Sequence, residues 1–64
     1  MREYVDKLIQ EVKTRMKAEG STSEEVFLQF IDDVIDEWLQ TGQIDENADI
    51  EGIKEMARSQ WENV

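Results

Sequence analysis

Hydrophobic residues recur along this chain at the three- and four-residue spacing of α-helices, in three separate segments. In the first and third segments they cover an arc of about 140°, which is the width of one buried helical face. The face of the third segment comprises Ile50, Ile53, Met56, Ala57, Trp61 and Val64. The pattern predicts an all-α fold: a compact three-helix bundle with helices over residues 2–18, 23–41 and 49–62 in one small domain, 1–64.

Glycine and hydroxyl residues mark where the first two helices end and begin. Gly20 and Gly42 are predicted to be left-handed C-terminal stops. Between them, Ser21 with Glu24 and Thr22 with Glu25 both have the spacing of a capping box, and the sequence does not choose between the two. The connection is short, so it predicts an antiparallel hairpin of the first two helices.

A loop is predicted before the third helix, over residues 43–47. Asn47 or Asp49 is expected to cap the helix, and Ile44 is expected to tuck beneath the loop. Asp45, Asn47 and Asp49 match the first ligands of a calcium loop. Its turn glycine and its final bidentate glutamate are missing, which favours an acidic capping loop over a metal site.

The middle segment is unusual because its apolar residues cover an arc of roughly 220°, whereas a surface helix needs little more than about 100°. Two neighbouring helices can cover such an arc. They can also leave one edge exposed, and that edge is then a candidate interface. The predicted edge consists of Leu28, Ile35 and Leu39 with the nearby Trp38. Small cores often recruit a second subunit, so we expect dimerisation through this edge.

The rest of the middle helix is acidic. The whole chain has a net charge of −9, and residues 20–42 contain six acidic and no basic side chains. This acidic face has three alternative explanations: it is a solvated face, it is a docking surface for a basic protein partner, or it pairs with cations from the first helix (Arg2, Lys13 and Lys17). The predicted acidic partner face comprises Glu25, Asp32, Asp33, Asp36 and Glu37.

The residue types present exclude most site chemistry. The chain has no cysteine and no histidine, so thiolate zinc sites and the commonest general base are absent. No histidine-containing carboxylate di-metal centre can be built. We therefore expect no enzyme activity, no cofactor and no metal.

Charge and hydropathy also limit the partners. Binding to nucleic acid or to an anionic membrane needs clustered Lys and Arg, so neither is expected. For the same reason Tyr4, Trp38 and Trp61 are predicted to pack in the core and not to stack on bases. No apolar run reaches a membrane span or a secretion signal, which predicts a cytoplasmic protein. Two functions follow: an interaction or structural module that self-associates or docks a partner by its apolar edge, or an acidic regulator that occupies the basic surface of a nucleic-acid-binding protein.

Overall fold

Three helices and a terminal helical turn make up the fold. The computed structural model describes the backbone of residues 2–63 and the side chains of residues 2–61, so Val64, predicted for the apolar face of the third helix, lies outside the described residues. Helix α1 spans Arg2–Glu19, α2 spans Glu24–Thr41 and α3 spans Ile50–Arg58, followed by a 3₁₀ turn over Ser59–Asn63. Each helix contacts the other two, and no strand occurs within 2–63. The predicted compact, all-helical fold is confirmed.

Helix α1 ends at Gly20 as its sequence predicts. Gly20 has φ 70°, a left-handed conformation that costs glycine little. Its N–H donates to the Lys17 carbonyl at 3.1 Å, and the Ser21 N–H donates to the Met16 carbonyl at 3.0 Å. These two bonds form a Schellman motif, which satisfies carbonyls that the helix end would otherwise leave unpaired.

The start of α2 corrects one prediction. The N-cap residue is Ser23, and its side chain makes no capping hydrogen bond. The Ser21 hydroxyl accepts instead from the Ser23 N–H at 3.3 Å. With Ser23 at the cap, the third helical residue is Val26, which has no carboxylate to reach back. Neither predicted capping box therefore forms.

The connection from α2 to α3 is fixed to the end of α2. Gly42 has φ 77°, and its N–H donates to the Trp38 carbonyl. That carbonyl also accepts from Gln43 at 2.9 Å and from Ile44 at 3.4 Å. The Ile44 side chain is 2% exposed, so the prediction that it packs beneath the loop is confirmed.

The N-cap of helix α3 is one of the two residues predicted for it. The Asp49 carboxylate accepts from the Gly52 N–H at 3.0 Å, so Asp49 and not Asn47 is the N-cap. A Cβ at position 52 would lie 2.8 Å from the Asp49 Cγ, so glycine there leaves room for the cap. The α-helical part ends at Arg58, earlier than predicted, because the last turn tightens to 3₁₀ geometry.

The core fills the space between the helices and takes most of the wide apolar arc of α2. Its members on that helix, Phe27, Ile31, Val34 and Ile35, have no exposed surface. Within residues 2–61, Met56 is the only large apolar side chain that is exposed, at 37%. No described helix is long and apolar enough to cross a bilayer.

Candidate interaction surfaces

The predicted apolar edge of α2 is only partly a surface. Ile35 is 0% exposed and belongs to the core, so it does not lie on an exposed edge of the chain. Leu28 lies only about 20° from Ile35 on the helical wheel, yet it stays partly exposed, as do Trp38 and Leu39. All three pack against the core. What remains of the edge is Leu28 and Leu39, about 20° apart on the helical wheel, and we call these two the apolar edge. Trp38 lies about 80–100° away from them, near the middle of the apolar arc.

Glu37, on one flank of the acidic face, is paired with α1. Two guanidinium nitrogens of Arg15 donate to the two Glu37 carboxylate oxygens, at 2.8 and 2.6 Å. Arg15 Nε also donates to Glu11 at 3.3 Å, one turn earlier on α1. Hydrogen bonding to Arg15 lowers the pKa of Glu37, and the same bond raises the pKa of Arg15 further above its already high value. The Arg15–Glu37 pair thus links α2 to α1.

Asp32, on the other flank, faces α3. Its Oδ1 lies 3.4 Å from Lys54 Nζ and 3.5 Å from an Arg58 guanidinium nitrogen. This oxygen is buried and has no hydrogen-bond partner among the described residues, so the attraction is between charges at ion-pair distance and not a directed bond. The two cations still offset the charge of Asp32 within the fold.

The cations that reach α2 differ from those predicted. Pairing with the body of the protein was one of the three explanations for the acidic face, and it holds for two carboxylates. The expected donors Arg2, Lys13 and Lys17 do not supply it; Arg15, Lys54 and Arg58 do. The reason is helical geometry: Arg15 is two residues from Lys13, which turns it about 160° away, toward α2.

The remaining three carboxylates form an outward-facing row, here called the acidic stripe: Glu25, Asp33 and Asp36. All three are exposed, and none has an ion pair among the side chains of residues 2–61. They extend over about 17 Å of α2, from the rise of 1.5 Å per residue. The exposed amides Gln29 and Gln40 continue the same side of the helix. The surface is acidic, polar and without a cation of its own.

The acidic loop before α3 uses its oxygens locally. Asp45 accepts from the Asn47 N–H at 2.9 Å, which is an Asx turn, and Asp49 caps α3. Within the described part of the chain, no group of three or more acidic, histidine or cysteine side chains is arranged to hold a metal ion. The Asp45 and Asp49 carboxylates therefore accept hydrogen bonds from backbone N–H groups of the loop and of the start of α3.

The aromatic side chains belong to the hydrophobic interior. The rings of Phe27 and Trp61 lie 5.1 Å apart at 46°, a tilted aromatic contact. Tyr4 and Trp38 are partly buried and pack on the same core. Sequence reasoning missed a groove beside Trp61, because its walls come from separate parts of the chain.

Comparison with known proteins adds no relative: no protein-family model, curated protein or solved structure matches this chain. The function proposed below is therefore argued from the surfaces of the protein itself.

Proposed function

We propose that this protein is a non-enzymatic interaction module that binds a basic protein through the acidic stripe of α2. The observation that supports it is the contrast along one helix. Glu37 and Asp32 have cations of the fold within ion-pair distance, whereas Glu25, Asp33 and Asp36 are exposed and have no such cation among the side chains of residues 2–61. A partner with clustered Lys or Arg supplies the missing charge.

The chain's overall charge reinforces this preference. At a net charge of −9, the surrounding field attracts basic surfaces from a distance and accelerates their encounter. Surfaces of that kind occur on nucleic-acid-binding proteins. The module would then act as a regulator that occupies such a surface in competition with nucleic acid. We propose a cytoplasmic location for this activity, with which the absence of cysteine is consistent.

Charge reversal on the stripe tests the proposal. The double variant Asp33→Lys with Asp36→Lys is compared with Asp6→Lys with Glu46→Lys, which changes net charge equally at exposed sites elsewhere. Binding is measured by interferometry on immobilised, purified basic nucleic-acid-binding domains. We expect the stripe variant to lose binding and the control to retain most of it. Native binding should fall at least about tenfold between about 0.05 and 0.3 M NaCl, because exposed charge attraction is screened.

Two results would contradict this function. An affinity that does not change with salt concentration would mean that exposed charges do not drive the contact. Equal loss in the two double variants would mean that only net charge matters and that the stripe has no special role.

We also propose that α1 and α2 form the antiparallel hairpin expected from their short connection. The short connection supports it, because only residues 20–23 separate α1 from α2 and the two helices contact each other.

Self-association through the apolar edge is the second candidate. Leu28 and Leu39 favour it because they remain partly exposed on one side of α2. Light scattering across a dilution series should then give about 15 kDa, twice the chain mass of 7.5 kDa. Leu28→Glu should lower that mass and leave helicity unchanged. A mass of one chain at every concentration would exclude this assembly.

A further inference from the structure

A groove of about 520 Å³ opens at the C-terminal end of α1. Its walls come from α1, from the connection to α2 and from the terminal 3₁₀ turn. The lining residues are Lys13, Met16, Lys17, Ser21, Thr22 and Trp61. The acidic stripe contributes none of them, so this is a separate surface.

The floor of the groove is apolar and held in place by the core. Met16 is 5% exposed, so only its outer edge reaches the groove. The Trp61 ring is fixed by its contact with the buried Phe27. Together they offer a preformed apolar seat, which lowers the entropic cost of binding.

The rim of the groove is basic. Lys13 and Lys17 are exposed, lie one helical turn apart and have no ion pair among the side chains of residues 2–61. Arg15, Lys54 and Arg58 all face carboxylates of the same chain. The other four of the 7 basic side chains have no ion pair among the described side chains, and of these four only Lys13 and Lys17 line the groove.

We propose that this groove binds an acidic peptide segment of a partner protein. One apolar side chain of the segment sits against Met16 and Trp61, and flanking carboxylates lie beside Lys13 and Lys17. Charge complementarity fixes the sign of the occupant, which is opposite to that of the acidic stripe's partner. The groove is open to solvent, so it suits one anchoring side chain better than a small molecule that needs near-complete enclosure.

The probe is a fluorescein-labelled peptide with a central phenylalanine flanked on each side by two aspartates. Its control has lysines in place of the aspartates. Anisotropy gives the affinity, and amide and indole NMR shifts of the labelled protein locate the contact. We expect shifts at Lys17, Ser21, Thr22 and the Trp61 indole with the acidic peptide and none with the basic one.

Matched variants separate a groove from general charge. Lys13→Gln with Lys17→Gln should weaken binding about tenfold, since each exposed charge contributes a few-fold. Arg2→Gln with Lys7→Gln removes the same charge from the other end of α1 and should change it less than twofold. Both pairs are exposed, so the fold tolerates them.

Four outcomes would overturn the proposal. They are no binding up to millimolar peptide, equal weakening by both variant pairs, equal affinity for phenylacetate, and groove shifts that depend on protein concentration without peptide. The third would assign the groove to small aromatic carboxylates, and the fourth to a second copy of the chain. None depends on the acidic stripe.

Discussion

Replacing Ile35 with alanine should cost far more stability than replacing Leu28, although the two lie on the same side of α2, about two turns apart. Ile35 is 0% exposed, and truncating a buried isoleucine costs about 2–5 kcal/mol, including the cavity left behind. Leu28 is partly exposed, so solvent fills much of the space and we expect about 1–2 kcal/mol. A domain of 64 residues has a total stability of about 3–10 kcal/mol, so Ile35→Ala removes a large part of it.

Urea denaturation followed by far-UV circular dichroism measures both free energies, with the m-value checked for constancy. Ile35→Val, at about 0.5–1.5 kcal/mol, keeps the comparison measurable if the alanine variant is unfolded at the outset. A cost for Ile35→Ala below about 1 kcal/mol, or one equal to that of Leu28→Ala, would refute the core assignment. A cost that grows with protein concentration would place Ile35 in a subunit interface instead.

Three further predictions concern single interactions. Hydrogen bonding to Arg15 lowers the pKa of Glu37, so the contribution of this pair to stability is present above the ordinary value of 4.5 and is lost as pH falls through the lower folded value. Chemical denaturation should therefore show that the stability lost in Glu37→Gln shrinks on acidification. A loss of stability that is independent of pH would contradict the pairing. Asp49→Ala should lower the free energy of unfolding by about 1 kcal/mol, whereas Ser23→Ala should cost less than about 0.5 kcal/mol because its side chain makes no capping bond; equal costs would contradict the two cap geometries. Gly20→Ala places a Cβ at φ 70°, so thermal denaturation should show a loss of about 1–2 kcal/mol, and an unchanged midpoint would rule out the left-handed conformation.

Helix positions were predictable because they depend on local regularities. The predicted starts and ends of α1 and α2 lie within one residue of those observed, since Gly20 and Gly42 end the helices by backbone conformation alone. The choice of cap was harder. Ser21, Thr22 and Ser23 all have a capping hydroxyl, and which one takes the position depends on how the loop closes after Gly20.

The surfaces were less predictable because they depend on how helices face one another. Periodicity placed Ile35 and Leu28 together, but only the position of the neighbouring helices decides which is covered. The same holds for charge: periodicity does not show that Arg15, and not Lys13, faces α2. The groove beside Trp61 combines residues up to 48 positions apart, so no local pattern signals it.

The buried Ile44 extends the cooperative unit beyond the end of α2. Its N–H is bonded to the Trp38 carbonyl and its side chain lies in the core, so its amide should exchange with solvent only when the core opens. The exposed residues 45–47 that follow lie outside this protected unit. They are where a tag or an inserted domain can enter the chain, because lengthening a connection costs only a logarithmic entropy term.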